Sequence, residues 1–165
     1  MTAISKISPC LWFKTEAEEA ANFYASVFPD SSVDKVTRAS IDTPGTKTGA
    51  VLFVEFTLCG QSFQALNGGE DKPFTEAISL SVLCKDQAEV DRYWAALTAG
   101  GGAEIACGWL SDRYGLRWQV VPEPMLQYLR SDDAEAAGRA MRAMMDMVKL
   151  DVAKLAAAYE GRGAA

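Results

Sequence analysis

A chain of 165 residues with 49% hydrophobic content can bury one core of ordinary size, or two small modules. Twenty-two acidic residues against sixteen basic ones give a net charge of −6, so a phosphate backbone is repelled and nucleic acid is not expected as a partner. Histidine is absent, which removes Ser-His and Cys-His pairs, a His general base and every His metal ligand.

In chain order, residues 7–13 form an apolar stretch suited to a strand. Thr15-Glu16-Ala17-Glu18 reads as a capping box that opens a helix with Ala20, Phe23, Tyr24 and Val27 on its buried stripe, stopped by Phe28-Pro29. Strands are predicted over 32–40, 50–58 and 62–67, separated by Thr43-Pro44-Gly45 and Cys59-Gly60. Asn67-Gly68-Gly69-Glu70-Asp71-Lys72-Pro73 reads as a linker, although its Gly pair could also cradle an anion. A strand over 78–84 then runs into a helix capped by Asp86, with Glu89 reaching back, and with Val90, Tyr93, Trp94 and Leu97 on one face. After Gly100-Gly101-Gly102 come strands over 103–110 and 116–121, joined at residues 111–115. Pro122 and Pro124 end the sheet, a helix with a methionine stripe is expected over 134–148, Asp151 caps a last helix, and 161–165 is expected to fray.

Two echoes organise this string. Residues 7–25 and 78–96 align without a gap at an offset of 71, with identities at Ile7/Ile78, Ser8/Ser79, Lys14/Lys85, Ala17/Ala88, Glu18/Glu89 and Ala25/Ala96. A shorter echo aligns Gly60, Phe63 and Gln64 with Gly115, Trp118 and Gln119. Internal repetition implies a duplicated module. The expected fold is α+β: two tandem βαβββ units, the second a compressed copy, forming a curved mixed sheet around a shared cavity, with C-terminal helices. The expected divisions are residues 1–67, a linker over 68–77, a second unit over 78–122 and a helical extension over 123–165. Because strand side chains alternate, Gln64 and Gln119 should face away from the aromatics beside them.

Tandem βαβββ units with an Asp-x-x-Gly-x-x-aromatic turn (Asp112, Gly115, Trp118) resemble the vicinal oxygen chelate superfamily of glyoxalase I, the fosfomycin and bleomycin resistance proteins and the extradiol dioxygenases. The resemblance covers about Ile4 to Pro122. The segments PCLWFKTEAEEAANFY, ALNGG, FTEAISLSV, DQAEVDRYW, CGWLSDRYGLRWQVVP and AMRAMMDMVKLDVAKL closely resemble the 3-demethylubiquinone-9 3-methyltransferase-like domain group. That name implies methyl transfer to a quinone precursor, yet the chain has no Gly-rich loop between a strand and a helix with a downstream acid.

In metal-dependent members of the superfamily, each unit gives a His from its first strand and a Glu from its last. The resemblance places Ser8, Gln64, Ser79 and Gln119 at those positions. Neutral hydroxyls and amides are weak ligands for a divalent ion, so no metal and no cofactor are expected. The quartet suits hydrogen bonding to a polar organic ligand, or satisfies itself and the backbone. Trp12 and Trp109, with Trp118, could wall such a pocket or belong to the core. Cys107 could be a nucleophile but has no evident base near it in sequence, and Asp112 and Arg113 could meet a ligand or hold their own turn.

The function expected is binding of a small organic molecule in the cavity between the units, with its turnover left open. The alternatives are a drug-resistance-type binding protein without catalysis, and methyl transfer. Whether the chain is an enzyme stays open. No apolar run approaches the roughly 20 residues of a membrane span, the opening MTAISKIS has no signal-peptide core, and the four cysteines form no CxxC pair. These features point to a cytoplasmic protein with no membrane partner, expected as a homodimer.

Overall fold

The computed structural model describes residues 5–162. The last three residues of the expected frayed tail, and Ile4 at the start of the resemblance, lie outside that range. The chain divides into two compact units, Met1–Pro73 and Phe74–Ala165, so the C-terminal helices belong to the second.

In the first unit, strand β1 (Cys10–Phe13) leads into helix α1 (Ala17–Val27), followed by β2 (Ser32–Arg38), β3 (Val51–Leu58) and β4 (Gln61–Asn67). The sheet order is β1-β4-β3-β2, with β1 parallel to β4 and the other pairs antiparallel. A βαβββ chain gives this mixed order because the helix returns the chain parallel to its start, and hairpins then fill the gap. Val54, Phe56, Leu58, Phe63 and Ala65 are buried with Leu11, Phe13 and the α1 residues Ala17, Ala20, Ala21 and Tyr24. The helix stripe differs from the one expected, since Phe23 and Val27 are only partly buried. Three alanines on the contact line let the helix approach the sheet, leaving Phe23 beside Tyr24 with ring centroids 5.4 Å apart.

The start of α1 also departs from its expected capping box. Thr15 makes no side-chain cap there, and the helix N-cap position falls at Glu16. The Ala17 amide instead donates to Asn67 Oδ1 at 2.9 Å, from the end of β4. Asn67 is buried, donates its amide to Val51 O at 2.9 Å, and accepts through its own carbonyl from Thr46 Oγ1 at 2.8 Å. One residue thus fastens helix, strand and loop.

The second unit has β5 (Leu80–Cys84), α2 (Gln87–Thr98), β6 (Ala103–Glu104), β7 (Trp109–Ser111) and β8 (Arg117–Pro122). Its sheet order, β5-β8-β7-β6, repeats the first, again with one parallel pair. It is a complete βαβββ unit. The single strand expected over 103–110 is broken in two at Cys107-Gly108, where φ is +63° and +81° and the chain turns back. Asp86 caps α2 as expected, accepting from the Glu89 amide at 2.9 Å, while Glu89 Oε2 accepts from the Lys85 amide at 3.0 Å.

Beyond β8 the chain folds into α3 (Glu123–Leu129), α4 (Ala134–Met145) and α5 (Val152–Tyr159). Helix α3 was not expected, because Pro122 and Pro124 read as breakers. Proline is tolerated in a first turn, where its missing N–H would have no partner, and the helix starts there. Helix α4 ends at Met145, short of the expected 148, and Asp151 caps α5 through the Lys154 amide at 3.0 Å. Met125, Leu150 and Leu155 form the core of this extension, with Val121, Tyr128, Met144 and Met147 packed around it. No helix among the described residues is long and apolar enough to cross a membrane.

Candidate functional site

In both sheets one face packs on its helix and the opposite, less buried face carries the glutamines among polar and apolar neighbours. Along β4, Phe63, Ala65 and Asn67 are buried while Ser62, Gln64 and Leu66 between them are partly buried. Along β8, Trp118, Val120 and Pro122 are buried while Arg117, Gln119 and Val121 alternate with them. Gln64 and Gln119 therefore lie on the faces opposite α1 and α2.

The strand register shows what stands beside each glutamine. Gln64 is flanked by Cys10 on β1 and Glu55 on β3; Gln119 is flanked by Ser81 on β5 and Trp109 on β7. Cys10 and Ser81 are 71 positions apart, the offset of the sequence echo. In the second unit the echo brings two candidates together: Gln119 Nε2 donates to Ser79 Oγ at 2.9 Å. The bond leaves the Gln119 carbonyl oxygen to accept and the Ser79 hydroxyl to donate. In the first unit no side-chain hydrogen bond joins Ser8 to Gln64. Ser8 precedes β1, and the backbone N–H of Gln64 donates to the carbonyl of Pro9, the residue after Ser8, at 2.9 Å.

Trp109 is partly buried on the Gln119 face and, with Ile105, Glu76 and Arg117, lines a cavity of about 240 Å³. Arg117 Nη2 donates to Glu76 Oε1 at 2.6 Å. A larger, more open groove of about 790 Å³ runs along residues 146–154 and the start of α2, where Lys149 Nζ meets Asp91 Oδ1 at 2.5 Å. That groove holds none of the expected site residues. The smaller cavity is the better candidate because its wall residue Trp109 is the β7 partner of Gln119.

Trp12 has a structural role. Its Nε1 donates to Glu70 O at 2.9 Å, the Lys72 ammonium lies 4.5 Å from its ring centroid, and a Cβ at Gly68 would fall 1.8 Å from its Cζ2. Gly69, with φ +78°, lies against Gly45 so closely that a Cβ would meet the Gly45 Cα at 2.3 Å. The Gly pair permits this close packing of backbone and ring.

Asp112 is buried, and its carboxylate accepts from the Tyr114 and Leu116 amides at 2.9 and 3.1 Å and from Trp118 Nε1 at 2.8 Å. The Asp-x-x-Gly-x-x-aromatic motif is thereby a turn that pins a core tryptophan. Cys107 donates its amide to Met147 O and its thiol lies 3.9 Å from Met145 O. Burial pushes the Cys10 thiol above its ordinary range, and burial followed by the charge of Glu89 pushes that of Cys84 up to about 12. Neither is primed as a thiolate.

Glu55 and Arg117 escaped the sequence reading. Alternation held the signal for both, since Glu55 lies between buried Val54 and Phe56, and Arg117 between buried Leu116 and Trp118. No three His, Cys, Asp or Glu side chains gather among the described residues.

A family model described as 3-demethylubiquinone-9 3-methyltransferase matches residues 5–121. Among solved structures, a PhnB protein from Bacillus cereus, named as a candidate 3-demethylubiquinone-9 3-methyltransferase, is 35% identical over 72% of this chain and 99% of that one, with a TM-score of 0.64. The protein PA1353 from Pseudomonas aeruginosa shares the fold at 19% identity over 73% of this chain and 98% of that one, with a TM-score of 0.59. A glyoxylase/bleomycin resistance protein/dioxygenase domain from Frankia sp. EAN1pec matches at 16% identity over 73% of this chain and 93% of that one, with a TM-score of 0.47. None of the curated proteins matches. The family model covers both βαβββ units, from residue 5 to residue 121, and makes this chain a member of the 3-demethylubiquinone-9 3-methyltransferase family.

Proposed function

We propose that this chain binds a small organic molecule on the face of the second sheet that carries Gln119, Ser79 and Trp109, without a resident metal. The observation that carries the reading is the Gln119–Ser79 hydrogen bond beside a partly buried tryptophan and a cavity of about 240 Å³. A pre-positioned amide and hydroxyl fix the orientation of a polar ligand, and an indole wall covers its apolar part. The neutral Ser and Gln oxygens support the metal-free form of the reading, since they offer no charge against an ion's dehydration. If the ligand is turned over, the Gln119 amide or the Ser79 hydroxyl donates to a developing oxyanion.

The test is a fragment screen by thermal shift, repeated with Gln119→Ala. Hits that raise the midpoint of the wild type and lose that effect in the variant support the site; hits indifferent to the substitution place binding elsewhere. Divalent ions that raise the midpoint at micromolar concentration would overturn the metal-free reading.

The family description favours one second reading, methyl transfer to a quinone precursor. Saturable calorimetric binding of S-adenosylmethionine would establish that reading over simple ligand binding. We further propose a cytoplasmic homodimer, supported by free cysteines at 10, 59, 84 and 107 and by exposed Met141, Met145 and Val148. A monomeric mass by light scattering would remove the dimer.

A further inference from the structure

Arg117 and Glu76 form an unequal pair. The Arg117 side chain is 21% exposed and sits on β8 two positions from Gln119, on the same face; the Glu76 side chain is 82% exposed and sits in a turn outside the sheet. An ion pair with so exposed a partner contributes little, because water competes for the carboxylate and the flexible side chain loses entropy in holding it. The guanidinium belongs to the rigid sheet and is largely withdrawn from water, so it stays in place when its partner leaves.

Both residues line the cavity whose other walls are Ile105 and Trp109. The cavity thus has an apolar, partly aromatic flank and a fixed two-pronged cation at one side, where Glu76 places a carboxylate 2.6 Å away. Resting on the ligand-binding reading above, we infer that the ligand is a small anion with one carboxylate-like oxyanion on an apolar or aromatic body. Glu76 is an internal stand-in for that oxyanion. Binding exchanges the Glu76 carboxylate for the ligand's on Arg117, while the ligand body lies along Trp109 and Ile105 and its polar substituents meet Gln119 and Ser79. The planar guanidinium donates two parallel hydrogen bonds to a planar oxyanion, which gives orientation as well as attraction. The exchange also keeps the arginine partnered in the empty state.

The probes are benzoate and its neutral near-isostere benzamide, titrated into ¹⁵N-labelled full-length protein with amide shifts followed by NMR. Benzoate is expected to shift the amides around Arg117, Trp109 and Gln119 and to bind more tightly than benzamide. Glu76→Gln removes the competing carboxylate and should tighten benzoate roughly two- to fivefold, the weight of an exposed ion pair, without altering benzamide. Arg117→Met should weaken benzoate by at least about tenfold, the loss of charged hydrogen bonds, with its folded spectrum serving as the control. Equal binding of the two probes, or no response to Glu76→Gln, overturns the anionic ligand and leaves the small-molecule reading standing. If neither probe shifts an amide on this face, the inference and the reading beneath it both fail.

Discussion

Gln64 and Gln119 hold the same place in two sheets of the same strand order, yet their surroundings have diverged. Gln64 stands between a thiol and a carboxylate, Cys10 and Glu55; Gln119 stands between a hydroxyl and an indole, Ser81 and Trp109. The turns feeding the two strands differ as well. In the first unit two residues with positive φ, Cys59 at +48° and Gly60 at +78°, close the β3–β4 hairpin. In the second a longer loop is organised by a buried carboxylate that also holds a core tryptophan. Duplication preserved the backbone plan, and side-chain chemistry changed on top of it. Only the second unit pairs its glutamine with its serine.

The sharpest way to break this comparison is at the turns. Asp112→Ala strands the Trp118 N–H and two turn amides, and should destabilise the protein by about 3 kcal/mol in urea unfolding. Gly60→Ala, which only imposes a Cβ on a positive φ, should cost about 1 kcal/mol. Equal losses would mean that the Asp112 network is no more demanding than a hairpin. Next comes Asn67→Ala in the first unit, expected to cost about 2 kcal/mol because one buried amide serves both the start of α1 and Val51; the same substitution at the exposed Asn22 should leave the midpoint nearly unmoved.

The glutamines offer a third contrast. Gln119→Ala should weaken a screened ligand by about tenfold, as expected when hydrogen bonds at a partly buried site are lost, whereas Gln64→Ala should leave that ligand's affinity unchanged. A smaller contrast lies in the thiols. Cys59 is exposed and Cys84 is buried with its thiol pushed up to about 12, so a disulfide reagent at mild alkaline pH should modify Cys59 in the native protein and reach Cys84 only on unfolding. The smallest effect concerns pH. Hydrogen bonding from Lys149, then from Gln87, holds the Asp91 carboxyl below the usual range. Its contribution is complete above the ordinary aspartate value and fades as pH falls through the lowered folded value. Hydrogen-exchange protection around residues 149–152, taken relative to the intrinsic amide rate, should therefore fall in acid, and Asp91→Asn should remove that pH dependence.

Local periodicity made much of the fold legible. The 71-residue echo marked the corresponding strands, alternation around Phe63 and Trp118 put both glutamines on the face away from their helices, and Asp86 and Asp151 announced their helices. What escaped depends on distance or on a rule with two outcomes. Asn67 satisfies an amide fifty residues earlier, which no local pattern encodes. Pro124 can stop one element or sit in the first turn of the next, and only the packing of Met125 into the C-terminal core decides. Glu55 and Arg117 were visible as alternating polar positions, but their significance came from neighbours supplied by other parts of the chain, Gln64 for one and Glu76 for the other.

The break at Cys107-Gly108 has one more consequence. The two amides there donate to the Met147 and Val148 carbonyls at 2.7 and 2.8 Å, and a Cβ on Gly108 would approach Leu150 to 3.0 Å. The turn that delivers Trp109 to the sheet is thus completed by residues beyond 121, where the family match stops. A chain cut after β8 would leave two backbone donors bare beside the candidate cavity. The extension braces the turn that carries Trp109, and on the ligand-binding proposal substitutions far along the chain would retune ligand preference without touching a ligand.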